Sequence, residues 1–143
     1  MTTEPIHSGV YKSNELNDCA VRALANTKGY TYNEARGALQ RVGRKDGDGV
    51  CALSLTALYR SEGFTVELFG DNKASEYLRF NLPLGVQRNK GCCVSTLMKM
   101  PRYSTGKHIV GVVGHAFALV DGNIIDTFCT NPRTMVDVVW SLG

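Results

Sequence analysis

No run in this chain approaches the ~20 consecutive apolar residues of a membrane-spanning helix, and Met1 to Gly9 has no apolar core of the secretory-signal kind. A disulfide framework is missing too: the five cysteines are odd in number, and Cys92 and Cys93 are adjacent. A reducing cytoplasm is the expected compartment. There is no Cys-x-x-Cys, and adjacent cysteines rarely serve one tetrahedral site. Cys92, Cys93, His108 and His115 therefore argue weakly for zinc, and neither metal nor cofactor is expected. Charge of one sign is also scarce, with 16 Lys and Arg against 13 Asp and Glu. Arg41, Arg44 and Lys45 form a small basic cluster that reads as a solvated face, so neither nucleic acid nor membrane is an expected partner.

What remains is ordinary for a globular chain: 143 residues, 43% hydrophobic and 20% charged. Repeats and linkers are absent, so residues 1–143 are expected to form one domain with a core of its own.

Hydrophobic periodicity and capping signals predict helices first and strands later. A helix opens near Cys19 and stops at Gly29. Thr31-Tyr32-Asn33-Glu34 is a capping-box signature for a second helix to about Val42. Cys51 to Glu62 reads as a third helix, with Leu55, Leu58 and Tyr59 on one face. Phe64 to Phe69 alternates like a strand, Lys73 to Phe80 suggests a short helix, and Asn81 to Gly91 reads as irregular. Val94 to Met100 reads as helical, Lys107 to Val113 as a strand, and Met135 to Trp140 as the last strand. Helices followed by an antiparallel sheet make an α+β domain.

The chemistry lies in three residues and their order. Cys19 sits in Asn17-Asp18-Cys19-Ala20-Val21-Arg22-Ala23-Leu24-Ala25, at a helix start where free backbone N–H groups and the dipole favour a thiolate. Asn14 or Asn17 can cap that helix, and the neighbouring Asp18 opposes the thiolate. His115 opens the apolar run His115-Ala116-Phe117-Ala118-Leu119-Val120. Asp121-Gly122 then signals a two-residue turn whose central residues both take positive φ. That register pairs Val120 with Asn123 and Phe117 with Asp126. It places His115 and Asp126 as diagonal neighbours on one face, whereas Asp121 lies in the turn and is the poorer orienter. A nucleophile, its base and an orienting carboxylate is the layout these residues suggest. Cys51 and Cys129 read as core or incidental, and Cys19 is expected to meet iodoacetamide faster than the other cysteines.

The segments Asn17 to Ala25 and Gly114 to Thr127 resemble papain-like cysteine peptidases, in particular the small phage and bacterial branch akin to bacteriocin-processing peptidase domains. The resemblance implies a papain-like α+β fold, with N-terminal helices packed on a C-terminal antiparallel sheet. It assigns Cys19 as nucleophile, His115 as general base and Asp126 as orienter, acting on a peptide, isopeptide or related amide, with a monomer expected. The chain departs from the family at Ser13, where papain-like enzymes usually carry an oxyanion-hole glutamine six residues before the nucleophile; Asn14 and Asn17 are the candidate donors. An acyl transferase using the same thioester is a close variant. A protein-binding module or inhibitor that keeps the fold is the alternative. A phage or bacterial origin, with host cytoplasm as the setting, follows by analogy. Because the thiol comes so early, no inhibitory pro-segment is expected ahead of it. Arg44 to Val50, Asn81 to Gly91 and Pro101 to Lys107 are expected to shape the substrate pocket.

Overall fold

A computed structural model describes residues 19–43, 52–70, 86–113, 115–125 and 131–142. Four described helices, α1 (Cys19–Lys28), α2 (Tyr32–Arg41), α3 (Ala52–Ser61) and α4 (Val94–Lys99), accompany six strands. The strands are β1 (Phe64–Phe69), β2 (Gln87–Asn89), β3 (Lys107–Val112), β4 (His115–Val120), β5 (Asn123–Ile125) and β6 (Val138–Leu142). They form one sheet in the order β2-β1-β6-β3-β4-β5. The fold is therefore α+β. None of the described helices is long and apolar enough to cross a membrane.

α1 is the central helix, and its composition explains why. Ala20, Val21, Ala23, Leu24 and Ala25 are all buried, so it is apolar nearly all round and lies in the core rather than on it. It packs against β4, β3 and α2. The capping box at Thr31 forms with both of its bonds: the Glu34 N–H donates to Thr31 Oγ1 at 3.1 Å, and the Thr31 N–H donates to Glu34 Oε1 at 3.0 Å.

Each face of the sheet has its own core. One buries Ala20, Leu24, Leu39, Tyr59, Ile109, Ala116 and Trp140 beneath the three long helices. The other buries Phe69, Leu97, Tyr103, Val110, Phe117, Leu119 and Val139, with α4. Gly111 sits where the strands press hardest on the helical side. A Cβ there would lie 2.7 Å from Val138 Cγ1 and 3.1 Å from the Trp140 ring, so no larger residue fits without displacing a core side chain. Trp140 is fixed in turn by its Nε1–H, which donates to Thr56 Oγ1 at 3.0 Å, and by the Tyr59 ring edge-on at 5.0 Å.

Over the described residues the hairpin turn forms in the expected register. Asp121 and Gly122 have φ of 50° and 81°. Val120 faces Asn123, Leu119 faces Ile124 and Ala118 faces Ile125. Asp121 is occupied structurally, its Oδ1 accepting from the Gly106 N–H at 3.0 Å.

Elsewhere the structure corrects the sequence reading. The sheet is not wholly antiparallel: β2 runs parallel to β1, with Glu67 opposite Gln87. Asn81 to Gly91 is thus not irregular throughout. Its last part is an edge strand, too polar and short to alternate, and the buried Glu67 carboxylate ties it down by accepting from Asn89 Nδ2 at 3.0 Å. Glu67 also accepts the Tyr103 hydroxyl and pairs with Arg102. The last strand begins at Val138 rather than Met135. Before it, Cys93 and Met135 form only an isolated bridge, and Asp137 spends its backbone on both sides, accepting from Phe69 and donating to Gly111. The expected helix at 73–80 lies outside the described residues.

Candidate active site

α1 begins at Cys19, so its first backbone N–H groups have no partner within the helix and its positive dipole end lies at the thiol. The helix packs on β4, and β4 begins at His115, opposite Val112 of β3. Two element ends thus meet, and Cys19 hydrogen-bonds the His115 side chain. Both residues are half-buried. The His115 ring stacks on Phe117 two residues along the same strand face, with centroids 6.1 Å apart and planes 30° apart, which limits how the imidazole can turn.

Opposing forces act on the thiol. Burial is the largest single influence and pushes it up. The His115 hydrogen bond, the Ala116 backbone N–H, the His115 charge and the Arg22 charge together outweigh burial and leave the thiol below the ordinary cysteine range. The thiol thus ionises more readily than an ordinary cysteine although it is half-buried.

Two contributors were not picked out from sequence. The Ala116 N–H belongs to no motif, being a backbone donor at the start of β4. The spacing of Tyr59 predicts only a core residue. Its hydroxyl donates to the Ala20 carbonyl at 3.1 Å, which fixes the first turn of α1, and burial and then the nearby Cys19 charge raise its own ionisation out of reach. Its helical spacing gave the burial correctly but carried no sign of the hydroxyl's partner.

Asp126, Asn14 and Asn17 lie outside the described residues, as do Cys51 and Cys129. Cys19, Cys92 and Cys93 are free thiols. His108 is not part of the site: its Nε2 faces the Thr105 carbonyl at 2.7 Å and its Nδ1 faces Ser141 Oγ at 2.8 Å. A carbonyl can only accept, so Nε2 carries a proton and donates it to Thr105.

The described parts of two of the three stretches expected to shape the pocket, 86–91 and 101–107, sit elsewhere. Pro101 to Lys107 reaches the opposite end of the strands, where Gly106 bonds Asp121 at the far end of β4. Five residue steps along β3 separate Lys107 from Val112, about 17 Å of strand. β2 lies at the other edge of the sheet, four strand spacings or about 19 Å from β4. Loops that are neighbours in a linear reading go to different corners once the strand order interleaves β6 between β1 and β3. Residues 44–50 lie outside the described set.

Comparison with protein-family models, with curated proteins and with solved structures found no match. The case for function therefore rests on the site itself.

Proposed function

We propose that this protein is a papain-like cysteine hydrolase that cleaves a peptide, isopeptide or related amide through a thioester on Cys19. The observation that carries the reading is the hydrogen bond between the Cys19 thiol, at the first residue of a buried helix, and His115, at the first residue of the adjoining strand. A nucleophile and a base in contact, each fixed by a different rigid element, is the arrangement that acyl transfer needs.

The steps follow from the groups present. His115 takes the thiol proton, and Cys19 Sγ attacks the substrate carbonyl carbon. The carbonyl electron pair moves to oxygen, where the Cys19 N–H at the helix end can receive it. The C–N bond then breaks as His115 returns the proton to the departing amine, leaving an acyl thioester. Water attacks that thioester with His115 as base, the C–S bond breaks, and Sγ leaves as the thiolate. Asp126 is assigned to hold the imidazole, and Asn14 or Asn17 to complete the oxyanion site in place of the family's glutamine. An amine taking the place of water in the second half would make the same site a transferase.

A peptidyl acyloxymethyl ketone tests the proposal. Intact protein should gain one adduct, mapped to Cys19, and both Cys19→Ala and His115→Ala should abolish it. A folded protein that gains no adduct on Cys19, and whose biological effect survives Cys19→Ala, is a binding module built on the same fold. The absent glutamine at Ser13 is the feature that favours that second reading.

A further inference from the structure

By their elements, His115 and Cys19 belong to opposite sides of the sheet. Side chains alternate along β4, so His115 shares its face with Phe117 and Leu119, over the core that α4 covers. Val112, directly opposite His115 on β3, packs against that same core. Ala116 faces the other way, into the core beneath the three long helices, and Cys19 packs there. The imidazole therefore meets the thiol only by reaching round the end of β4. A histidine turns about two side-chain torsions, and a swing back along its own face takes the ring off the sulfur.

Holding the ring across that end needs a rigid surface behind it, and Phe117 supplies one. Phe117 is 1% exposed, lies opposite Val110 of β3, and is packed in one core with Leu97, Tyr103 and Val139. Its ring has no room to follow the imidazole. The two planes are 30° apart and the centroids 6.1 Å apart, within the range of offset aromatic pairs.

We propose that Phe117 is a positioning residue of the base, a fixed aromatic surface that keeps the His115 ring turned across the end of the sheet toward Cys19. The inference rests on the cysteine hydrolase reading and deepens it. A stack uses a face of the imidazole and leaves both nitrogens on the ring edge. It competes neither with the bond to Cys19 nor with the further interaction that His115 makes. The phenyl ring carries no proton, so it holds the imidazole plane in both of the protonation states that a turnover passes through. The orienting role assigned to Asp126 acts through one nitrogen, whereas Phe117 sets the plane in which that nitrogen lies.

The experiment compares two reagents on the same thiol, with peptide mapping and thermal melts. A peptidyl acyloxymethyl ketone needs the base in place, whereas iodoacetamide at pH ~9 needs only an ionised, reachable thiol. Phe117→Leu keeps an apolar side chain in the core and removes the ring. It should slow the ketone at Cys19 roughly threefold to tenfold and leave the iodoacetamide rate within about twofold. Val110→Ala trims the same core opposite Phe117 and keeps the ring; it should lower the melting temperature and leave both rates near the parent's. The His115 Cε1–H resonance, assigned by its loss in His115→Ala, should lie upfield in the parent under the phenyl ring current. Phe117→Leu should return it to the position of an unstacked histidine. Should Phe117→Leu fail to melt cooperatively, Phe117→Met provides the same comparison. A ketone rate unmoved by loss of the ring, or slowed as much by Val110→Ala, would overturn the proposal and leave Phe117 a core residue. So would equal slowing of both reagents. A parent protein that takes up no ketone defeats the hydrolase reading instead; the His115 resonance then still reports whether Phe117 holds the ring, and the two failures are distinct.

Discussion

Cys19 and Cys93 each stand at the head of a helix, and each keeps its thiol below the usual cysteine range, but the means differ. Cys93 caps the short α4 and reaches about 6 through hydrogen bonds to Ser95 Oγ at 3.2 Å and Thr96 Oγ1 at 3.4 Å, with help from backbone N–H groups. Those partners accept or donate hydrogen bonds and cannot shuttle a proton near neutral pH. Cys19 starts from a worse position, since burial works against its thiolate, and recovers chiefly through the His115 imidazole and the Ala116 N–H. A low thiol pKa measures readiness to be alkylated. Turnover also needs a group that takes a proton in one step and returns it in the next.

The largest contrast should appear in turnover. Once a substrate is found, Cys19→Ala and His115→Ala should each reduce kcat by ~10³-fold or more, and the double variant should be no worse than either, because neither residue performs the step alone. If Asp126 has the orienting role proposed for it, Asp126→Ala should cost less, since an orienter positions the base without taking the proton. Cys93→Ser should leave the rate within about twofold, and a large loss there would collapse the distinction between the two thiols.

Simple alkylation should narrow the contrast. Iodoacetamide needs only a reachable thiolate, so Cys93 should rival Cys19, and the sequence-based expectation that Cys19 leads the field meets a competitor. The sign is the same for both. An acid with a depressed pKa stays ionised as pH falls, so labelling is full above the ordinary thiol range and is lost on descending through the depressed value. At Cys93 the half-point should lie near 6. Quantitative mapping from pH 5 to pH 9 checks this (a range chosen to span ordinary and depressed thiols). A half-point for Cys93 in the ordinary range would remove the rivalry.

The smallest effect tests the scaffold beneath one of the two. Tyr59→Phe deletes the hydroxyl that holds the Ala20 carbonyl, and should cost about 1 kcal/mol of stability. It should slow the labelling of Cys19 by the acyl-type probe while leaving Cys93 alkylation unchanged. Equal changes at both thiols would mean that the hydroxyl supports the fold at large rather than the first turn of α1.

How much of this was legible beforehand depended on whether the signal was local. The capping box at Thr31 and the Asp121-Gly122 turn are short-range chemistry, and both appear as read, the turn carrying the register of the hairpin with it. The meeting of Cys19 and His115 was legible because each begins its element, so the ends alone had to be brought together. β2 was not, since Gln87-Arg88-Asn89 has no alternation to detect and is a strand only because β1 and the Glu67 carboxylate hold it. The burial of Arg22 had no local signal beyond its apolar neighbours. The pocket loops failed for a topological reason, because the strand order that separates them is set by long-range pairing.

The polar character of β2 has a further effect on how molecules of this protein behave toward one another. A sheet grows by adding strands at an open edge, and a long, flat, apolar edge invites a second chain to do so. Among the described residues that side ends after three residues with Gln87 and Arg88 exposed, and the Arg88 guanidinium lies against the Gly70 carbonyl at 3.5 Å. The edge is too short to register a neighbour and too strongly hydrated to shed its water for one. Concentrated solutions should therefore resist strand-by-strand self-association along this side.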